Sequence, residues 1–187
     1  MHTPSPTHSV TLAGICRQLP LFEVKPGLRI AVLNMLGDTE LTEASGIALA
    51  KKLVNLSFDT LVTAEAKSIP LLHVLSRTLQ KPCVVLRKTY KSYMGVALVA
   101  ETISITTGKP QRLYIDEKDH GQLSGKQVVL IDDVISTGST MEGMKKLMSE
   151  ADATISAIAA VCTEGDPAKW QQVIALGHLP VFNDSSK

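Results

Sequence analysis

One stretch, Val128-Val129-Leu130-Ile131-Asp132-Asp133-Val134-Ile135-Ser136-Thr137-Gly138-Ser139-Thr140, constrains this chain more than any other. The apolar run Val128 to Ile131 reads as a strand covered on both faces. Two carboxylates stand where that strand is expected to end, hydroxyl residues surround one glycine, and a helical pattern opens at Ser139. Each part of the turn has a physical use. Glycine lets backbone N–H groups come close to an anion. Ser and Thr hydroxyls add side-chain donors. The helix start adds free N–H groups and the positive end of its dipole. Ser136, Thr137, Gly138, Ser139 and Thr140 are therefore candidate donors to one phosphate. Asp132 and Asp133 would repel that phosphate, so they serve something adjacent; a sugar diol or a bound Mg²⁺ fits. Phosphate donors beside diol acceptors describe a site for ribose 5-phosphate. The bland alternative is a strand–turn–helix capped by Asp132 or Asp133, which needs one carboxylate and leaves the Thr-Gly-Ser-Thr run unused.

The rest of the chain alternates between the two regular structures. Leu28 to Leu33, Thr60 to Thr63, Cys83 to Leu86 and Ile155 to Val161 read as strands. Helices are expected from an Asp38 cap to about Asn55, from Ile69 to Leu79 with Pro70 in its first turn, and from Ser139 to about Glu150. The fold class is α/β, a central mostly parallel sheet flanked by helices. Two β-like runs around Thr107-Gly108-Lys109-Pro110 break the alternation and signal a hairpin.

Composition excludes several settings. At 187 residues and 44% hydrophobic content the chain supports one domain with a real core, taken as 10–187 after a polar, disordered tail at 1–9. A net charge of +1 provides no field for nucleic acid. Cys16, Cys83 and Cys162 are too few and too scattered for a disulfide framework or a metal site. Met1 to Ser9 lacks the pattern of a secretory leader, and no apolar run reaches membrane-spanning length. A cytoplasmic protein without membrane or nucleic-acid partners is expected.

Ligands of open parallel sheets bind beyond the carboxyl ends of the strands. After Thr63 comes Ala64-Glu65-Ala66-Lys67-Ser68, where the Ala66, Lys67 and Ser68 turn could hold a second anion. Otherwise Lys67 merely decorates a helix start, where a cation is slightly unfavourable. After Leu86 come Arg87, Lys88 and Lys91, which suit a diphosphate or form a solvated surface run.

The segment from Val128 to Thr140 resembles the phosphoribosyl-diphosphate (PRPP) signature of the type I phosphoribosyltransferases: apolar strand, acidic pair, apolar pair, then a Ser/Thr–Gly loop. The likeness extends over roughly Leu28 to Glu164 and is strongest toward the adenine and xanthine enzymes. It implies that fold, with a small N-terminal hood at about 10–33, a core at about 34–170 and a mobile hairpin lid at about 90–116. It implies PRPP and a purine base as substrates, Mg²⁺ as cofactor, a nucleoside 5′-monophosphate and pyrophosphate as products, and a homodimer. By the same resemblance Ser136 to Thr140 hold the 5-phosphate, and Asp132 and Asp133 hold the ribose hydroxyls and the metal, directly or through water. Ala66, Lys67, Ser68, Arg87, Lys88 and Lys91 face the pyrophosphate, with Asp132, Asp133, Lys67 and Arg87 as the catalytic set.

The base is less constrained. Ser104 to Lys109 resembles the Ser-Leu-Glu-Tyr-Gly-Lys of adenine enzymes, with Thr106 in place of the acid. Xanthine enzymes present an asparagine where Asn34 stands, but also a lysine where Thr163-Glu164-Gly165-Asp166 offers none. Asn34 either reads a base or satisfies a turn. Glu164 matches an acid in both groups, and Phe22 is either core or a stacking surface for a purine. The leading expectation is an adenine-type enzyme. The alternatives are a xanthine-type enzyme and a non-catalytic PRPP sensor, the last disfavoured because the residues before Val10 cannot form a DNA-binding segment.

Overall fold

The computed structural model describes residues 6–103 and 110–183. Among the described residues eleven strands and three α-helices are formed: β1 (Thr7–Leu12), β2 (Ile15–Lys25), β3 (Leu28–Ala31), α1 (Thr39–Leu53), β4 (Thr60–Ala64), α2 (Ile69–Leu79), β5 (Cys83–Leu86), β6 (Leu98–Ile103), β7 (Pro110–Ile115), β8 (Gln127–Ile135), α3 (Ser139–Glu150), β9 (Thr154–Glu164), β10 (Val173–Leu179) and β11 (Val181–Asn183). Short 3₁₀ turns stand at Ser92–Met94, Glu117–Gln122 and Pro167–Trp170.

The central sheet has five strands in the order β10-β9-β8-β4-β5, and every pair is parallel. Its strands are continuous apolar runs because both faces are covered. β8 shows this residue by residue: Val129 and Ile131 enter a cluster with Leu41, Leu49, Leu71 and Leu75 of α1 and α2. Val128 and Leu130 enter the opposite cluster with Met141, Met144 and Leu147 of α3 and with Leu113 and Ile115 of β7. Each such side chain contributes roughly 1.5–3 kcal/mol on burial. α1 starts where expected, with the Asp38 carboxylate accepting from Leu41 N at 3.1 Å. Gly46 then lets Val74 of α2 sit directly against the α1 backbone. From β4 the chain crosses to β5 on one side, and β8 returns to pair with β4 on the other. This reversal is where open sheets form ligand clefts.

The hood is a separate antiparallel sheet, β1-β2-β3-β11. It corrects the last part of the expected tail at 1–9, because β1 begins at Thr7 and pairs with β2 from Thr7↔Pro20 onward, while 1–5 lie outside the described residues. It also takes its last strand from Val181–Asn183, against β3. Arg17 of β2 ties the hood to the core: its Nε meets Asp38 Oδ2 at 2.7 Å, and its guanidinium also meets Asp38 Oδ1 at 2.9 Å and Glu40 Oε2 at 2.7 Å.

β6 and β7 form the hairpin, in register from Leu98↔Ile115 to Ile103↔Pro110. Its tip, 104–109, lies outside the described residues, and with it the Ser104 to Lys109 run and Thr106. Among the described residues no helix is long and apolar enough to cross a membrane.

Candidate active site

Two turns meet at the carboxyl edge of the central sheet. The first follows β8. That strand runs four residues beyond its expected end at Ile131, because Asp132, Val134 and Ile135 stay in register with Ala160, Cys162 and Thr163 of β9. The acidic pair is thereby part of the sheet rather than of a loose turn. Gly138 then adopts φ +80°, a left-handed conformation that side chains resist. α3 starts at Ser139 with Gly138 as its cap and only a long contact, Ser139 N to Thr137 Oγ1 at 3.5 Å, on its first N–H groups, so they are open to an anion. Thr137 Oγ1 and Ser139 Oγ lie 3.2 Å apart. Ser136 to Thr140, with Asp132, Val134, Ile135 and Met141, line a hollow of about 220 Å³.

The second turn follows β4 and includes a cis peptide between Glu65 and Ala66. Glu65 was not among the candidates read from the sequence, yet it organises the neighbouring strand end. Its carboxylate accepts from Arg87 Nε and from the Lys88 backbone N–H, both at 2.6 Å. Burial opposes ionisation of Glu65, but the Lys88 amide and the Arg87 guanidinium outweigh it and hold the carboxyl below its ordinary range. The available signal was an acid one step beyond β4 and two bases one step beyond β5, on strands paired Ala64↔Leu86.

Ser68 joins the two turns. It is fully buried at the start of α2, and its Oγ donates toward Asp132 Oδ1 at 3.0 Å and Asp133 Oδ1 at 3.4 Å. Asp133 N–H also donates to Asp132 Oδ1 at 2.9 Å. Burial first, and then the charge of Asp133, push the Asp132 carboxyl up to about 7, against the Ser68 hydroxyl and the Asp133 amide. Asp133 is 7% exposed, and its Oδ2 is buried without a hydrogen-bond partner. Such an oxygen is costly unless something arrives to meet it. Ala64 to Ser68, Lys88, Asp132, Asp133, Val134 and Thr140 enclose a cleft of about 510 Å³. Asp132, Val134 and Thr140 are walls of both spaces, so the two adjoin.

The remaining candidates are placed unevenly. Ala66, Lys67, Ser68 and Lys88 line the cleft. Arg87 instead lines a neighbouring hollow of about 810 Å³ with Glu65, Cys83, Asp116 and Asp119. Lys91 is exposed and opens the 3₁₀ turn at Ser92–Met94. Asn34 Oδ1 accepts from Leu36 N at 3.3 Å, so its side chain is engaged in a turn. Phe22 is 61% exposed on β2, opposite Ile30, and is no core residue. Glu164 ends β9 at 9% exposure, and burial pushes its carboxyl upward. Among the described residues no group of three or more His, Cys, Asp or Glu side chains could hold a metal. Two carboxylates with a spare oxygen still fit Mg²⁺, which takes one or two protein carboxylates and draws its other ligands from substrate and water.

Comparison with known proteins bears on this geometry. A family model described as a phosphoribosyl transferase domain matches residues 33–175. A hypoxanthine/guanine phosphoribosyltransferase of Methanocella paludicola is 36% identical over 123 residues, covering 66% of this chain and 61% of that protein. A probable purine biosynthesis transcriptional regulator of Streptococcus pneumoniae is 22% identical over 161 residues, covering 86% of this chain and 58% of that protein. The chain thus spans about three fifths of the length of these curated relatives. Among solved structures, an adenine phosphoribosyltransferase from Thermoanaerobacter pseudethanolicus superposes with a TM-score of 0.70 at 23% identity, covering 86% of this chain and 95% of that one. The Trypanosoma brucei adenine phosphoribosyl transferase in complex with AMP, pyrophosphate and ribose-5-phosphate gives 0.68 at 19% identity, covering 92% of this chain and 76% of that one. At these identities the structural likeness is one of fold.

Proposed function

The chain belongs to the phosphoribosyl transferase domain family, and from that premise we propose that it is a purine phosphoribosyltransferase, moving the phosphoribosyl group of PRPP onto a purine nitrogen and releasing pyrophosphate. The observation that carries the reading is the shared wall of Asp132, Val134 and Thr140 between a phosphate-sized hollow and an acid-lined cleft. PRPP has a phosphate at one end, a diol in the middle and a diphosphate at the other, in the order these surfaces follow.

In this reading Ser136 to Thr140 hold the 5-phosphate through amides and hydroxyls. Asp132 and Asp133 take the ribose hydroxyls and favour positive character on the sugar as the pyrophosphate leaves. Lys67, Lys88 and the turn amides at Ala66 to Ser68 receive the leaving group. Mg²⁺, held by the acidic pair, would neutralise part of the leaving-group charge. No protein nucleophile is required, since positioning and electrostatics account for the rate. Arg87, paired with Glu65 beside the cleft, helps to set that wall, and a homodimer is part of the same reading. A cytoplasmic setting follows from the substrates.

Relatives named for hypoxanthine and guanine and fold neighbours named for adenine both support a purine. The test is pyrophosphate release with PRPP, MgCl₂ and adenine, hypoxanthine, guanine or xanthine in turn. Release with at least one purine is expected; release with none overturns the enzyme reading. A second reading, a PRPP-binding regulator, is favoured by the regulator aligned over 86% of the chain. PRPP binding without turnover on any purine would establish it.

A further inference from the structure

Behind the phosphate loop lies a second hollow, of about 870 Å³, that the proposed reaction does not use. Ile135, Thr137, Gly138 and Met141 line both this hollow and the phosphate hollow, so the two adjoin at the loop. The far wall is Trp170, the only tryptophan of the chain. Its indole is tethered: Nε1 donates to the Glu164 carbonyl at 2.9 Å. The turn that carries it, Pro167–Trp170, is itself capped by Asp166, which accepts from Ala168 N at 3.0 Å. The ring packs on the cluster that contains Met141 and Met144. Its outer edge reaches the loop. A Cβ on Gly138 would lie 3.1 Å from Trp170 Cη2 and 3.7 Å from Cζ3.

The loop needs such support. Its own internal contacts are long, at 3.2 Å for Thr137 Oγ1 to Ser139 Oγ and 3.5 Å for Ser139 N to Thr137 Oγ1. No side chain caps α3, and glycine at 138 opens conformations closed to other residues. An aromatic edge fixed to the end of β9 removes part of that freedom without occupying the donor face.

We propose that Trp170 is a positioning residue, bracing Gly138 from behind so that the loop's donors stay aimed at a sugar phosphate, and that its emission reports occupancy of the loop. The inference rests on the phosphoribosyl reading of the site.

Two ligands separate the brace from a merely structural role. Ribose 5-phosphate engages the loop after β8, and magnesium pyrophosphate engages the turn after β4. In calorimetric titrations of the full chain, Trp170→Ala is expected to weaken ribose 5-phosphate by about 10-fold and to leave pyrophosphate unchanged, as a displaced positioning contact does. Trp170→Phe, which keeps a ring, is expected to restore most of the loss. Independently of any variant, wild-type tryptophan emission should shift with ribose 5-phosphate and not with pyrophosphate. Equal weakening of both ligands, unchanged ribose 5-phosphate affinity in Trp170→Ala, or silent wild-type emission at saturating ribose 5-phosphate would each overturn the brace. Failure of the wild type to bind either ligand would instead defeat the phosphoribosyl reading, and the brace with it.

Discussion

In the proposed reading, the sugar-phosphate end and the base end of this molecule are built on different principles. The first is nearly continuous in sequence: Asp132 to Thr140 supply the acidic pair, the glycine and the helix start within one strand–turn–helix. The second is gathered from β2, the segment around Asn34, the end of β9 and a hood whose strands come from both Thr7–Leu12 and Val181–Asn183. Its candidates are scattered in environment too, with Phe22 exposed, Asn34 held in a turn and Glu164 buried. A phosphate is recognised by backbone amides, which any sequence of the right shape supplies. A base edge is read by particular side chains, and those are held by packing across distant parts of the chain.

Substitutions at the two ends should therefore separate PRPP from the base. The largest effect is expected for Asp132→Asn with Asp133→Asn: turnover falls by about 10³-fold at unchanged secondary structure, since preorganised charge at the reacting centre is removed. Steady-state rates with circular dichroism check this. Gly138→Val comes next, with PRPP affinity falling about 100-fold by calorimetry, because a β-branched residue at φ +80° meets both backbone strain and the Trp170 edge. The ligand-free protein should also lose stability as pH rises. Asp132 is raised in the folded state to about 7, so the folded chain binds more protons than the unfolded chain between the ordinary aspartate range and that value. A loss of about 1–3 kcal/mol from pH 4 to pH 7 is expected, and Asp132→Asn should flatten the slope in thermal melts. Glu164, also raised by burial, adds in the same direction. Asp38 and Glu65 are lowered, so their stabilisation is present above the ordinary carboxyl range and is lost only at more acidic pH.

The base end should respond differently. Arg17→Ala releases the hood from Asp38 and Glu40. KM for the base is expected to rise by about 3–10-fold with KM for PRPP unchanged, the mark of a displaced positioning element. An equal rise in both would break the distinction between the ends. The smallest effect is Phe22→Ala, an exposed substitution expected to change stability by less than about 0.5 kcal/mol and PRPP affinity not at all.

The same contrast decided what could be read in advance. α2, β5 and α3 fall where apolar periodicity and helix-start chemistry place them, because those signals are local. The first half of β1, Thr7 to Ser9, reads as a polar tail, and only its pairing with β2 makes it a strand. β10 is obscured by Gly177, whose missing side chain is explained by Leu12 of the hood packing against it. β8 reads as ending at Ile131 because aspartate disfavours strands, and β9 overrides that preference. The strand–turn–helix that holds Asp132 to Thr140 was legible in the sequence. The Ser68 link to the acidic pair spans 64 and 65 residues, the Glu65 link to Arg87 spans 22, and neither carries a local signal.

Ser68 has one hydroxyl hydrogen and two carboxylates within its reach. In the proposed reading, an acid that turns toward a sugar gives up its share of that hydrogen. The turn after β4 and the end of β8 are fastened together by one Ser68 hydroxyl, which sets the spacing of the two cleft walls before any ligand arrives.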